Sequence, residues 1–182
     1  REHAEVEEFL NPLSNIVILL DNNFLALSSH INKLKKYINN NWVMDFNQGL
    51  DARLVNNENS KLLAKVKYYK QIGFAWDFVK DEKRVLNGIK KIIKAGIKPQ
   101  YIKCFILVNF NTTFEEDKYR FDELWRLGVY PFIMKYQDIN GNKIKTPKKI
   151  NDFARWVNRK IFKVCKWKDY KNYYFRSVIN GY

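Results

Sequence analysis

The chain has 182 residues, of which 16% are aromatic, with few glycines and prolines. That is enough for one domain with its own core and does not suit a disordered chain. Lysine and arginine total 33 against 19 acidic residues, a formal charge of +14; this favours anionic partners such as nucleic acid, a phosphate-bearing ligand or an acidic protein. The two cysteines, Cys104 and Cys165, are far apart and in no CxxC-type spacing. They argue against a disulfide scaffold or a self-contained metal site and suit a reducing, cytoplasmic setting. No apolar run approaches the ~20 residues of a membrane span.

In chain order, residues 5–13 read as an amphipathic helix with Val6, Phe9, Leu10 and Leu13 on one face. Residues 15–20 are a continuous β-branched and apolar run, the pattern of a strand buried on both faces in a parallel sheet. A helix is expected near 29–39, with Ile31, Leu34 and Ile38 inward, then a strand over 42–46. A second helix spans 59–70, and a strand over 72–76 ends in Asp77. The helix over 82–95 places Val85, Leu86, Ile89, Ile92 and Ile93 on one stripe, with Asp81 as N-cap and Gly96 just past its end. A strand over 103–108 leads to Asn109 and Asn111. Thr113 and Glu116 form a capping-box spacing for a helix over 114–127, which Gly128 terminates. A strand over 130–134 closes the series. Beyond it, residues 138–142 read as a turn, and Thr146-Pro147 opens a helix over 148–163. The tail, 167–176, alternates aromatic and charged residues.

The repeat of strand, polar end and helix, roughly 30 residues long, is that of βα units. The expected fold class is therefore α/β, a partial (βα) TIM-like barrel with five parallel strands. It occupies residues 1–137 and is followed by a basic, aromatic, helical extension over 138–182. Every strand ends in polar side chains: Asp21, then Gln48 with Asp51 and Arg53, then Asp77, then Asn109 with Asn111, then Lys135. Ligands bind at that edge of α/β folds. Residues 47–54 alone read equally well as a polar turn with an Asp–Arg surface pair.

No nucleophile–base set, G-x-G-x-x-G, P-loop or H-E-x-x-H is present. His30, near a helix start, reads as structural or exposed, and His3 as part of a mobile end. Asp21, Asp51 and Asp77 suit acid–base or metal chemistry, and suit turn capping equally. Together the strand ends fit an organic ligand with ribose and amino-acid parts. Carboxylates accept from ribose hydroxyls, amides both donate and accept, and Arg53 offers a bidentate fork to a carboxylate.

Five segments, taken in order, resemble successive strand ends of radical S-adenosylmethionine (radical SAM) proteins. They are residues 16–24 with Asp21-Asn22-Asn23-Phe24, Gln48-Gly49-Leu50-Asp51-Ala52-Arg53, Phe74-Ala75-Trp76-Asp77, residues 107–117, and Pro131-Phe132-Ile133-Met134-Lys135-Tyr136. They match strands two to six of that family's six-stranded core. Residues 152–159 resemble the tail helix of its bacterial and phage branch. The resemblance implies an S-adenosylmethionine site: Asp21, Asn22 and Asn23 toward methionine, Asp77 toward the ribose, and Asn109, Asn111 and Met134 toward the adenine. Gln48, Asp51 and Arg53 would line the wall. It further implies that the intact protein uses a [4Fe-4S] cluster to cleave S-adenosylmethionine to a 5′-deoxyadenosyl radical, which abstracts hydrogen from a substrate. The CxxxCxxC loop that holds the cluster has no counterpart here. The chain therefore reads as a fragment lacking the first βα unit, ahead of a relative that has lost its cluster. By itself it is expected to bind no cluster and to be inactive in reductive cleavage.

The alternative is a non-catalytic basic module for nucleic acid on the same scaffold. In it, the aromatics between Trp156 and Arg176 stack on bases while lysines and arginines neutralise phosphates. The competing reading is that Trp156, Trp167 and Tyr170 pack a C-terminal helix. A protein substrate is also compatible with the charge. A missing barrel strand would expose the edge at residues 16–20 to self-association.

Overall fold

The computed structural model describes residues 5–21, 23–138 and 144–170. Asn22, His3, most of the 138–142 turn and the tail beyond Tyr170 lie outside the described residues. Among the described residues, strands and α-helices alternate except that β4 follows β3 directly: β1 (Ile16–Leu19), α1 (His30–Asn39), β2 (Val43–Phe46), α2 (Asn57–Leu63), β3 (Lys67–Tyr68), β4 (Ile72–Ala75), α3 (Glu82–Lys94), β5 (Ile102–Val108), α4 (Phe114–Arg126), β6 (Tyr130–Lys135) and α5 (Lys148–Asn158). All strand pairings are parallel.

The expected single five-stranded partial barrel is not what forms. The strands make two three-stranded sheets, β1-β2-β3 and β4-β5-β6, with no closed barrel. Two local features account for the break. Lys67 and Tyr68 pair with Val43 and Met44, so a two-residue strand occupies the flank of β2 that β4 would otherwise take. Beyond Phe46 the chain then leaves the strand line at a tight turn. Gly49 sits at φ 78°, and its N–H donates to Phe46 O at 2.9 Å. The positive φ is one that glycine adopts without a Cβ clash. The described ladder contact between the sheets is a single parallel bridge, Leu50 to Phe74, with Leu50 N donating to Gly73 O at 2.7 Å.

The short β3 also shortens the helix expected over 59–70, which ends at Leu63. The helix expected over 5–13 is instead a single 3-10 turn, Val6–Phe9. Phe9 and Leu13 are exposed, so those two apolar side chains do not anchor it. The helix expected over 148–163 stops at Asn158, because the chain turns left-handed at Lys160, φ 58°.

Alternation sorts the strand residues. In β5, Ile102, Cys104, Ile106 and Val108 are buried in the core shared with the helices, while Lys103, Phe105 and Leu107 face the other way. The register aligns these three with Tyr130, Phe132 and Met134 of β6. Ile16 and Ile18 of β1 occupy the equivalent face of the first sheet. One face of each sheet thus carries the core, and the other is partly open: Ile18 is 58% and Met134 48% exposed. Phe105 lies across this face, so that a Cβ on Gly49 or on Gly73 would meet its ring at 3.2 Å.

Candidate functional site at the strand ends

Because each sheet is parallel, the C-terminal ends of its strands fall on one edge, where side chains leave the ladder and turn into the next helix. At the end of β4, Asp77 is exposed, with Arg120, Arg53, Asp81 and Asp51 as its charged neighbours. Partial desolvation raises its carboxyl above the ordinary range; the charges of Arg120 and Arg53 partly offset the effect, and Asp81 and Asp51 reinforce it. The Asp77 carboxylate makes no hydrogen bond or ion pair among the described residues.

Immediately beside it is a network the sequence did not disclose. Arg120, in α4, is fully buried. Its guanidinium donates to Trp76 O and Asp77 O at 2.6 Å each, to Leu107 O at 2.9 Å, and to Asp117 Oδ1. One side chain therefore ties the ends of β4 and β5 to α4. Thr112 Oγ1 donates to the same Asp117 oxygen at 2.8 Å, and Asp117 Oδ2 has no hydrogen-bond partner among the described residues. An Asp–Arg pair at i,i+3 is the ordinary signature of a helix surface, so nothing in the spacing marks this one as internal.

At the end of β5, Asn109 and Asn111 both hold left-handed backbone, φ 62° and 52°. Asparagine tolerates this better than most residues. The two asparagines flank Phe110, whose ring lies 4.3 Å from that of Tyr136 and 6.2 Å from that of Phe78, centroid to centroid. Neither asparagine side chain is hydrogen-bonded among the described residues. Met134, one register step from the end of β6, is on the open face beside Leu107. Lys135 reaches the other way and donates to Asn151 Oδ1 at 2.9 Å.

The first sheet supplies a different set. Asp51 accepts from Arg53 Nε and Arg53 NH2, both at 2.9 Å, and from the Arg53 backbone N–H at 3.0 Å. Arg53 NH1 donates onward to Asp81 at 3.2 Å. The guanidinium fork is thereby engaged within the chain, and Arg53 fixes the turn. For Asp51, burial pushes the carboxyl up, but the Arg53 bonds outweigh it and leave the group below its ordinary range; the Asp51 bond raises Arg53 in turn. The turn is pressed against α3 at Gly88, where a Cβ would lie 1.9 Å from Ala52 O. Gln48, exposed, and Asp21 and Asn23, exposed after β1, are unbonded through their side chains among the described residues.

The sequence-predicted residues thus divide in two. Asp77, Asn109, Asn111 and Met134 gather on the β4-β5-β6 sheet. Asp21, Asn23, Gln48, Asp51 and Arg53 belong to the β1-β2-β3 sheet and the turn that follows it. Phe78, Phe110 and Tyr136 join the first group as an aromatic cluster.

The cysteines do not make a metal centre. Both are buried, and burial holds the thiols of Cys104 and Cys165 above their ordinary range, which disfavours the thiolate. No group of three or more His, Cys, Asp or Glu side chains suited to a metal ion occurs among the described residues. Among them, too, no helix is long and apolar enough to cross a membrane. Compared with known proteins, the chain matches no family model, no curated protein and no solved structure.

Proposed function

We propose that the strand-end edge binds S-adenosylmethionine and that the chain is the S-adenosylmethionine-binding portion of a radical SAM protein. The observation that carries this reading is Asp77: an exposed carboxylate with no bonded partner among the described residues, at the end of a strand that pairs with β5, whose own end carries two unbonded asparagine amides and Phe110 of the Phe78–Phe110–Tyr136 cluster. Asp77 accepts from the ribose hydroxyls. Asn109 and Asn111 present donors and acceptors to the adenine edge, with Phe110 and Met134 as apolar walls. Asp21 and Asn23 take the methionine end, Gln48 lines the wall between, and Arg53 with Asp51 keeps that wall in place. Arg120 contributes by fixing the Trp76 and Asp77 carbonyls, so that the ribose acceptor is held before the ligand arrives.

The residues of this chain do not fit a [4Fe-4S] cluster, since two buried thiols cannot supply the three thiolates such a cluster takes. Under this reading the cluster ligands, and with them reductive cleavage, come from outside these 182 residues.

Isothermal titration calorimetry with S-adenosylmethionine, adenosine and methionine tests the proposal. The whole ligand should bind at least about tenfold more tightly than either part, because both ends are gripped. Asp77→Asn should weaken it by roughly 10- to 100-fold, the range of a lost hydrogen bond to a charged group. Absence of S-adenosylmethionine binding at millimolar ligand, or unchanged affinity in the variant, overturns it.

A further inference from the structure

A second candidate site lies away from that edge, between β6 and the outer side of α5. It is a cleft of about 1140 Å³ whose lining includes Lys135, Lys145, Lys148, Arg155 and Arg159, with Asp152 as its carboxylate. The helical period explains the row. Lys148, Asp152, Arg155 and Arg159 follow one another by four, three and four residues, which places them on one face. Ile150, Phe153 and Val157 face inward and are buried. From Lys148 to Arg159 the row is ~16 Å long at the helical rise. Arg155 is engaged by Asp152 at 3.2 Å. Lys145, Lys148 and Arg159 make no hydrogen bond or ion pair among the described residues.

The walls are firmly set. Asn158 of α5 accepts from Ile133 N at 2.8 Å and donates to Ile133 O at 3.0 Å, so the helix pairs with the outer edge of β6 as a neighbouring strand would. Asn151 holds Lys135 at the strand end. Lys135, Lys148 and Arg155 are therefore mounted on a braced strand and helix, with Arg159 at the C-cap of that helix and Lys145 just ahead of it.

Among the described residues, the aromatic side chains nearest the cleft are packed into the core. Trp156 and Tyr170 are buried, and Trp156 packs with Phe121, Phe153, Phe162 and Trp167 at centroid separations of 5.0 to 6.0 Å. Its indole N–H donates to Cys165 O at 2.8 Å. Trp156 and Tyr170 thus belong to the core under α5 and do not offer a free face for stacking on bases.

We infer that this cleft binds the phosphodiester backbone of a nucleic acid, through charge and without base stacking. A row of spaced cations matches a polymer of repeated phosphates better than one small anion. An acidic protein would need a buried apolar anchor for affinity, whereas phosphate neutralisation alone sustains nucleic-acid binding. The cleft has the cations, and apart from Ala154 and Tyr170 the residues that line it are charged or polar. This assignment is independent of the ligand at the strand ends.

The test is fluorescence anisotropy with labelled 24-mers of single-stranded RNA, single-stranded DNA and duplex DNA, each titrated at several salt concentrations. The wild-type chain should bind at least one of them with steep salt dependence and little preference for base composition. Lys145→Glu, Lys148→Glu and Arg159→Glu combined should weaken binding at least about 30-fold and lower the slope of log K on log salt by roughly 2 to 3. The neutral triple to Gln keeps the helix surface uncharged and should give the same reduction in slope with a smaller loss of affinity. Lys61→Glu, Lys83→Glu and Lys90→Glu combined change the net charge equally, at exposed positions on α2 and α3, and should cost less than about threefold. Three results overturn the assignment: no binding at 50 mM salt, equal losses in the two charge-reversed triples, or tighter binding of polyglutamate than of any nucleic acid.

Discussion

Two arginines meet carboxylates near the same edge of this molecule, and they do opposite work. Arg53 is 40% exposed and bridges Asp51 and Asp81 across the turn after β2. Arg120 is inaccessible and spends most of its donors on main-chain carbonyls at the ends of β4 and β5. The first is an ion-pair network wetted by solvent, where Coulomb attraction is weak and side-chain entropy opposes it. The second is a buried cation whose worth lies in the groups it satisfies, since removing it strands them. The two sheets are therefore fixed by different means at their strand ends. The β4-β5-β6 edge is preorganised by Arg120, and the β1-β2-β3 edge is held by a surface clasp.

The sharpest way to break this contrast is Arg120→Met. Three carbonyls lose a donor and Asp117 loses its countercharge in a dry setting, so urea denaturation should show a loss of about 3 to 5 kcal/mol. Gly88→Ala comes next. Its Cβ would collide with Ala52 O on the turn that carries Asp51 and Arg53, and overpacking of this kind costs about 1 to 3 kcal/mol by the same measurement. Arg53→Lys keeps the charge but loses the fork on Asp51, and should cost less than about 1 kcal/mol, with the loss shrinking further in 1 M salt.

The smallest effect has the opposite sign. The carboxyl of Asp77 is raised in the folded chain, chiefly by desolvation. The native state therefore holds its proton to higher pH than the unfolded state, and stability contributed at this position falls as pH rises from the unfolded pKa through the folded one. Asp77→Asn removes that loss. Thermal unfolding at pH 7 should show a slightly higher Tm, by about 1 to 3 °C, and the difference should vanish below about pH 3.5, where both states are protonated. A lower Tm at pH 7 would mean that the carboxylate is structurally employed.

Regular elements were legible wherever one pattern sufficed. The apolar run at β1, the stripe of α3 and the Thr113–Glu116 box of α4 each appear at their expected places, the last with reciprocal bonds of 2.7 and 3.2 Å, but β1 is buried on one face only, with Ile16 and Ile18 exposed on the other. The sheet break was not legible. Lys67 and Tyr68 lie within a stretch whose Leu62, Leu63, Val66 and Tyr69 fit a helical period, and a two-residue strand is set by the neighbour it pairs with. The N-terminal segment has helical spacing without enough surface to bury it. At the site, Asp77 and the two asparagines stood out because they end strands. Arg120 did not, because its partners are carbonyls distant in sequence. The aromatics of the C-terminal region invited stacking or, more readily, packing; burial of Trp156 and Tyr170 settles the matter for those two in favour of packing.

The central claim is that the preorganised β4-β5-β6 edge holds the ligand. It is tested most directly by titrating S-adenosylmethionine into the isotopically labelled chain and following backbone amide shifts by NMR. Saturable shifts should concentrate at Asp77, Phe78, Asn109, Phe110 and Asn111, with further ones at Asp21 and Asn23 and weaker ones near Gln48. Shifts confined to α5 and the Lys145 region, or no saturable shifts at millimolar ligand, would contradict it.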